Sequence, residues 1–175
     1  ATPIQKALIP AMFSRRDIMA GAQTGTGKTA GFTLPILQEL SKTSVEGQHY
    51  PKAVILVPTR ELAKQVHESI EAYAKYLPLK SIVLFGGANL TSQANRLKAG
   101  VDIIVATSGR LLEQSGQKNV NLGSVDSLVL DEADTILDMG FVHEVSKILQ
   151  HLPSRRQNVL ISATLSGSVK RLAEQ

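Results

Sequence analysis

Two short stretches carry residues able to do phosphate chemistry. After the apolar run "DIMA" (17–20) comes "GAQTGTGKTAGF", a glycine-bearing turn leading into a helical pattern. In it, Thr24, Gly25, Thr26 and Gly27 can turn backbone N–H groups toward an anion. Lys28 supplies one cation for the outer phosphates, and Thr29 offers a hydroxyl to Mg²⁺. A helix beginning at Lys28 would add its N-terminal dipole. The usual spacing G-x-x-x-x-G-K-[ST] has Ala22 at its first position. The plain alternative is a glycine-rich surface turn.

The second stretch is "SLVLDEADTILDMGF" (127–141), where an apolar strand pattern runs straight into Asp131, Glu132 and Asp134. Three carboxylates so close repel one another and lose hydration at the end of a buried strand. Alone, they could simply mark a helix start, whose dipole favours acidic side chains. Beside a phosphate loop they acquire a use. Asp131 can hold Mg²⁺ through water opposite Thr29, and Glu132 can orient and deprotonate a water aimed at the γ-phosphorus.

Such residues need a scaffold that brings strand ends together. Unbroken apolar runs recur at 17–20, 53–57, 81–85, 102–106, 127–131 and 158–162, as in strands covered on both faces. Helical patterns lie between them. In 59–77, Leu62, Val66, Ile70, Tyr73 and Leu77 recur at three- and four-residue spacing behind Thr59 as N-cap, so both Tyr73 and Tyr76 are expected to pack. The alternation predicts an α/β fold with a mainly parallel sheet and ligands beyond the strands' carboxyl ends. Polar stretches 41–51 and 113–124 are expected as loops.

Composition narrows the classes further. With 175 residues and 43% hydrophobic content, one domain with one substantial core is expected. There is no cysteine, which excludes disulfides and thiolate metal sites and fits a reducing compartment. No apolar run reaches membrane-spanning length. A net charge of +4 permits contact with a polyanion without demanding it. The histidines at 49, 67, 143 and 151 share no metal-ligand spacing and read as surface or structural residues. The chain opens in mid-pattern at Ala1 and stops inside the helical "GSVKRLAEQ", the expectation being a piece of a longer polypeptide.

Seven motifs in order, "TPIQ" (2–5), "AQTGTGKT" (22–29), "PTRELA" (58–63), "GG" (86–87), "TSGR" (107–110), "DEAD" (131–134) and "SAT" (162–164), resemble the first RecA-like domain of DEAD-box RNA helicases. The resemblance covers essentially the whole chain. The flanks "GFTLPIL", "ILDMGF" and "RQNVLISATL" are most similar to bacterial members of the RhlE-like branch. It implies a P-loop NTPase domain of RecA-like fold spanning 1–175, with the N-terminus cut at the glutamine motif and a second RecA-like domain of the same chain lying outside it. It also implies ATP and Mg²⁺ as cofactors, an ATP-hydrolysing RNA helicase as the whole, and cytoplasmic location. The isolated piece is expected to be monomeric and nearly inactive.

The resemblance assigns roles that residue chemistry allows. Gln5 matches the glutamine that reads adenine, since a carboxamide can pair with adenine N6 and N7; a solvent-facing glutamine at a helix start is the alternative. Pro58, Thr59, Arg60 and Glu61 match an RNA-contacting motif, where simple capping by Thr59 would serve as well. Gly86 and Gly87 would admit a strand of RNA close to the backbone, or form a plain turn. Thr107, Gly109 and Arg110 match the next RNA motif, Arg110 offering a phosphate fork. Ser108 stands where the family usually has proline, a departure expected to loosen the turn. Ser162 and Thr164 match the motif coupling hydrolysis to strand separation through Asp134; by themselves they could cap the closing helix.

Two other classes stay open. A non-catalytic RNA-binding scaffold would be distinguished by failing to bind nucleotide with Mg²⁺. A DNA-directed P-loop helicase would be distinguished by DNA outcompeting RNA as stimulator.

Overall fold

A computed structural model describes residues 1–175. Six strands, β1 (Ile18–Gly21), β2 (Ala53–Leu56), β3 (Ser81–Leu84), β4 (Ile103–Ala106), β5 (Ser127–Leu130) and β6 (Gln157–Ser162), form one sheet in the order β1-β6-β5-β2-β4-β3. Every pairing is parallel. The predicted α/β fold is therefore observed, with each run trimmed or shifted by a residue or so at its ends.

The runs are apolar throughout because both sheet faces are covered, yet side chains still alternate. Ala53, Ile55, Val57, Ile103, Val105 and Val129 face one core. Over that face lie α1 (Pro3–Phe13), α2 (Lys28–Thr43) and α3 (Arg60–Tyr73), which contribute Leu8, Phe32, Ile36, Val66 and Ile70. Val54, Leu56, Ile104, Ala106, Leu128 and Leu130 face the other core. It is covered by α4 (Leu90–Lys98), α5 (Ser108–Gly116), α6 (Ala133–Asp138), α7 (Val142–Gln150) and α8 (Gly167–Ala173). No helix is long and apolar enough to cross a membrane.

Three local expectations are corrected. Residues 41–43 continue α2 and 113–116 continue α5, so both loops are shorter than their polarity suggested. Tyr73 and Tyr76 do not pack: they are 45% and 88% exposed. Helix α3 ends at Tyr73, and Ala74, four residues after Ile70, takes the inward place instead. Leu77 also packs against the core, beyond the helix.

The strand order divides the carboxyl edge of the sheet into two neighbouring triplets. Strands β1, β6 and β5 end beside the glycine turn at 25–27, Ser162 and Asp131, with Gly21 opposite Ser162 and Leu130 opposite Leu160. Strands β2, β4 and β3 end beside Pro58, Thr107 and Gly86, with Leu56 opposite Ala106 and Ala106 opposite Leu84. Thus every motif outside the first helix falls on one edge, sorted into two groups.

Candidate functional site

The first triplet builds a compact polar centre. Helix α2 starts from Gly27, whose φ of 82° lies in the left-handed region. A Cβ at Gly27 would stand 2.6 Å from the Gln5 amide nitrogen, so only glycine fits between the turn and that side chain. Thr26 Oγ1 donates to the Gln23 carbonyl at 2.7 Å and closes the loop on itself. The first amides of the 16-residue α2 have no side-chain cap and remain available to an anion.

Lys28 is nearly buried, and its Nζ lies 2.9 Å from Asp131 Oδ1 and 3.5 Å from Glu132 Oε1. Thr24 Oγ1 donates to Glu132 Oε1 at 3.1 Å. The loop after β1 and the loop after β5 are thereby tied together across β6. Glu132 itself has φ 53°, an uncommon conformation for a side chain of its size, and stands at the N-cap position of α6 without a side-chain capping bond. Such strain persists where surroundings over-determine it, and here the neighbours are the Asp131 carboxylate, Thr24 and Lys28.

Asp131 is the most enclosed acid of the molecule. Its Oδ1 accepts from the Glu132 N–H at 2.9 Å as well as from Lys28, whereas Oδ2 is buried without a hydrogen-bond partner. Burial raises its pKa above the ordinary carboxylate value, and the Lys28 ammonium opposes that rise. A buried acceptor with a free lone-pair face is costly unless something binds it.

That orphaned oxygen is the test of whether the residues suit a divalent cation. Mg²⁺ retains several waters and takes only one or two carboxylates plus phosphate oxygens, so Asp131 and Thr29, the second residue of α2, are a fitting donor set. No group of three His, Cys, Asp or Glu side chains converges to hold a metal unaided. The donors match an ion carried in with phosphate rather than a resident one.

Gln5 is held by its neighbours. Thr2 and Gln5 form a reciprocal capping box at the start of α1, the Thr2 N–H donating to Gln5 Oε1 at 3.0 Å. Gln5 Nε2 donates to the Gly27 carbonyl at 3.1 Å. This network fixes which end of the amide is oxygen. One N–H and one lone-pair direction of the carboxamide stay uncommitted. The box is legible in "TPIQ" as T-x-x-Q with proline at the first helical position.

Ser162, the last residue of β6, and Thr164 just after it both meet Asp134. The Asp134 N–H donates to Ser162 Oγ at 3.2 Å, and Thr164 Oγ1 donates to Asp134 Oδ2 at 3.2 Å. Neither caps α8, whose N-cap is Ser166.

The second triplet forms a shallow cleft of about 390 Å³, lined among others by Pro58, Arg60, Phe85, Gly86, Thr107 and Gly109. Thr59 caps α3 by accepting from the Leu62 N–H at 3.2 Å, with Glu61 in the first turn. Thr107 precedes α5 with no side-chain capping bond, leaving its hydroxyl free. Gly87 has φ 86°, and a Cβ there would sit 3.2 Å from Arg60 Nη2.

Two residues behave differently from expectation. Arg110, expected as an open fork, is engaged by the protein. Its Nη1 donates to the Ala88 carbonyl at 3.0 Å and to Gln93 Oε1 at 2.8 Å, and Nε lies 3.0 Å from Glu113. It braces the glycine turn and leaves Nη2 facing no protein acceptor. Ser108 does not loosen its turn. It is buried and donates to Glu144 Oε2 at 2.7 Å, tying α5 to α7. Gln93 and Glu144, which make these braces, carry no motif of their own and were missed.

Residues 2–172 match the protein family described as DEAD/DEAH box helicase. The chain is 40% identical over 175 residues to the DEAD-box ATP-dependent RNA helicase CshA of Bacillus subtilis (strain 168), covering all of this chain and 35% of that protein. It is 39% identical over 174 residues to the DEAD-box ATP-dependent RNA helicase RhpA of Helicobacter pylori (strain B128), covering 99% of this chain and 34% of that protein. The chain thus spans about a third of the length of these curated relatives.

Proposed function

Because the chain belongs to the DEAD/DEAH box helicase family, we propose that residues 1–175 are the ATP- and RNA-binding half of an ATP-dependent RNA helicase. In the whole protein a second RecA-like domain of the same chain would complete both sites. The observation that carries the reading is the meeting of Lys28 with Asp131 and Glu132 across β6, beside the uncapped start of α2.

The chemistry follows from these positions. Incoming phosphates take the α2 amides and draw Lys28 off the two carboxylates, exchanging one set of anions for another. Asp131 and Thr29 would hold Mg²⁺, which would supply charge neutralisation at the phosphate oxygens. Glu132, freed from Lys28, orients a water and takes its proton as that water attacks the γ-phosphorus, the bond to the β,γ-bridging oxygen breaking so that ADP leaves with that oxygen. Thr24 holds the Glu132 carboxylate by donating to Oε1, the oxygen that Lys28 also faces. The spare donor and acceptor of Gln5 match adenine N7 and N6, and its tie to Gly27 links base recognition to the phosphate loop.

On the second triplet, Pro58, Thr59, Arg60, Glu61, Gly86, Gly87, Thr107 and Gly109 form an RNA backbone surface, with Arg110 holding its turn and offering one remaining nitrogen. Asp134, bonded to both Ser162 and Thr164 at the first triplet, would transmit hydrolysis to that surface. Cytoplasmic location belongs to the same reading.

The test is ATP turnover by the full-length protein with no nucleic acid, with single-stranded RNA and with single-stranded DNA. Turnover stimulated by RNA and not by DNA is expected. Nucleotide binding without turnover under any condition would overturn the enzymatic reading, and stimulation by DNA alone would overturn the RNA assignment.

A further inference from the structure

Phe85, at the carboxyl end of edge strand β3, has two cations over its ring. Arg60 Cζ lies 5.6 Å and Lys64 Nζ 5.2 Å from the ring centroid. Arg60 and Lys64 are four residues apart on α3, a spacing at which like charges repel. Neither makes a salt bridge, although seven are present elsewhere in the molecule. The other cation beside the cleft, Arg110, is paired with Glu113. The free positive charge on this rim is therefore that of Arg60 and Lys64.

The ring explains how the pair is tolerated. The negative face of an aromatic ring attracts cations without neutralising them. Phe85 is itself fixed, since its carbonyl accepts from Gln93 Nε2 and Gln93 is held by Arg110. On the other side, the missing Cβ of Gly87 makes room for the Arg60 guanidinium. Two cations held still, desolvated on one side by a ring and lacking counter-ions, form a place for two anionic groups about 6 Å apart along the helix. Successive phosphates of a nucleic-acid strand follow each other on that scale.

We propose that Lys64 is a further RNA-phosphate ligand, one helical turn beyond Arg60, and that Phe85 is the positioning residue that holds both cations toward the strand. This rests on the reading of the cleft as an RNA surface. Lys64 lies in no recognised motif, and it carries the phosphate track past the cleft along the outer side of α3.

The test is fluorescence anisotropy of a labelled oligouridylate against the full-length protein, with Mg²⁺ and a non-hydrolysable ATP analogue, across a salt series. Lys64→Gln is expected to weaken binding several-fold at low salt and to flatten the log–log salt slope by about 0.7, one single-strand phosphate contact. Phe85→Leu should weaken binding in the same direction, whereas Phe85→Tyr, which keeps a ring face, should bind as the unmodified protein does. Lys98→Gln, on α4 away from the cleft, removes the same net charge and should leave the slope unchanged. Lys64 is exposed, so its variant tests the idea even if Phe85→Leu folds poorly. An unchanged slope for Lys64→Gln would overturn the proposal, as would equal flattening by Lys98→Gln. If the unmodified protein bound no RNA, the cleft reading itself would fall, and this inference with it.

Discussion

Lys28 and Asp131 form an ion pair at 2.9 Å with both side chains out of solvent, one from the start of α2 and the other from the end of β5. The pair joins the glycine turn after β1 to the carboxylates after β5. Breaking such a pair from one side leaves an uncompensated charge where water cannot reach it. Lys28→Met should destabilise the protein by about 3 kcal/mol in urea unfolding. The added substitution Asp131→Asn should recover much of that loss. A single variant as stable as the parent would show that the pair contributes nothing.

Glu132→Gln separates binding from chemistry. The amide keeps the size and part of the hydrogen bonding to Thr24 but cannot accept a proton from water. In the full-length protein, ATP affinity should change little while turnover falls roughly 10²- to 10⁴-fold. Calorimetry beside steady-state kinetics checks both. Equal loss of affinity and turnover would make Glu132 a ligand or structural group.

Legibility in the sequence followed the range of the interaction involved. The glycine turn before α2, the acidic turn and six strands were readable because glycine conformation, helix starts and apolar runs are local signals. The order β1-β6-β5-β2-β4-β3 was not, since periodicity states that a strand is buried and not which strand lies beside it. Only that order sorts the motifs into two triplets. Long-range partners were equally hidden: Ser108 finds Glu144 36 residues away, and Arg110 turns back to Ala88 and Gln93. A motif could identify Arg110 but could not reveal where its nitrogens point.

His67 makes stability depend on pH. It is buried on α3 with Nε2 3.0 Å from Ser81 Oγ, and burial lowers its pKa from the ordinary 6.5 although nearby Glu71 pulls the other way. A histidine harder to protonate when folded binds fewer protons than in the unfolded chain. Its contribution is present above about pH 6.5 and is lost as pH falls through that value toward the lower folded pKa. The urea midpoint should therefore drop between pH 7.5 and 5.5, and His67→Gln should flatten that drop. Parallel curves for the two proteins would exclude His67 as the cause.

Ser108 should behave as a brace. Its buried hydroxyl donates to Glu144, so Ser108→Ala leaves the carboxylate without that donor and should cost about 1 kcal/mol. Glu144→Gln should cost less, because the hydroxyl still finds an amide oxygen. Because α5 begins at Ser108 and carries Gly109 and Arg110, Ser108→Ala should also weaken RNA binding without altering ATP affinity. Undiminished RNA binding in a measurably destabilised variant would limit the bond to a structural role.

Gln5 offers the sharpest test of base recognition. Its carboxamide already accepts from Thr2 and donates to Gly27, leaving one donor and one acceptor in a fixed orientation. Adenine presents a matching acceptor at N7 and donor at N6, whereas guanine presents two acceptors, N7 and O6, on the same edge. The unmodified protein should prefer adenine over guanine nucleotides by roughly 1–3 kcal/mol, the worth of one good bidentate pair. Gln5→Ala should abolish that preference and, by removing half the capping box, destabilise α1 by about 1 kcal/mol. Gln5→Glu is more telling. It keeps an acceptor for the Thr2 N–H but sets a carboxylate oxygen against the Gly27 carbonyl, so it should push the loop away and weaken both nucleotides. Competition calorimetry with the two diphosphates distinguishes these outcomes. If guanine nucleotides bound the unmodified protein as well as adenine ones, Gln5 would be a structural cap that happens to touch the loop.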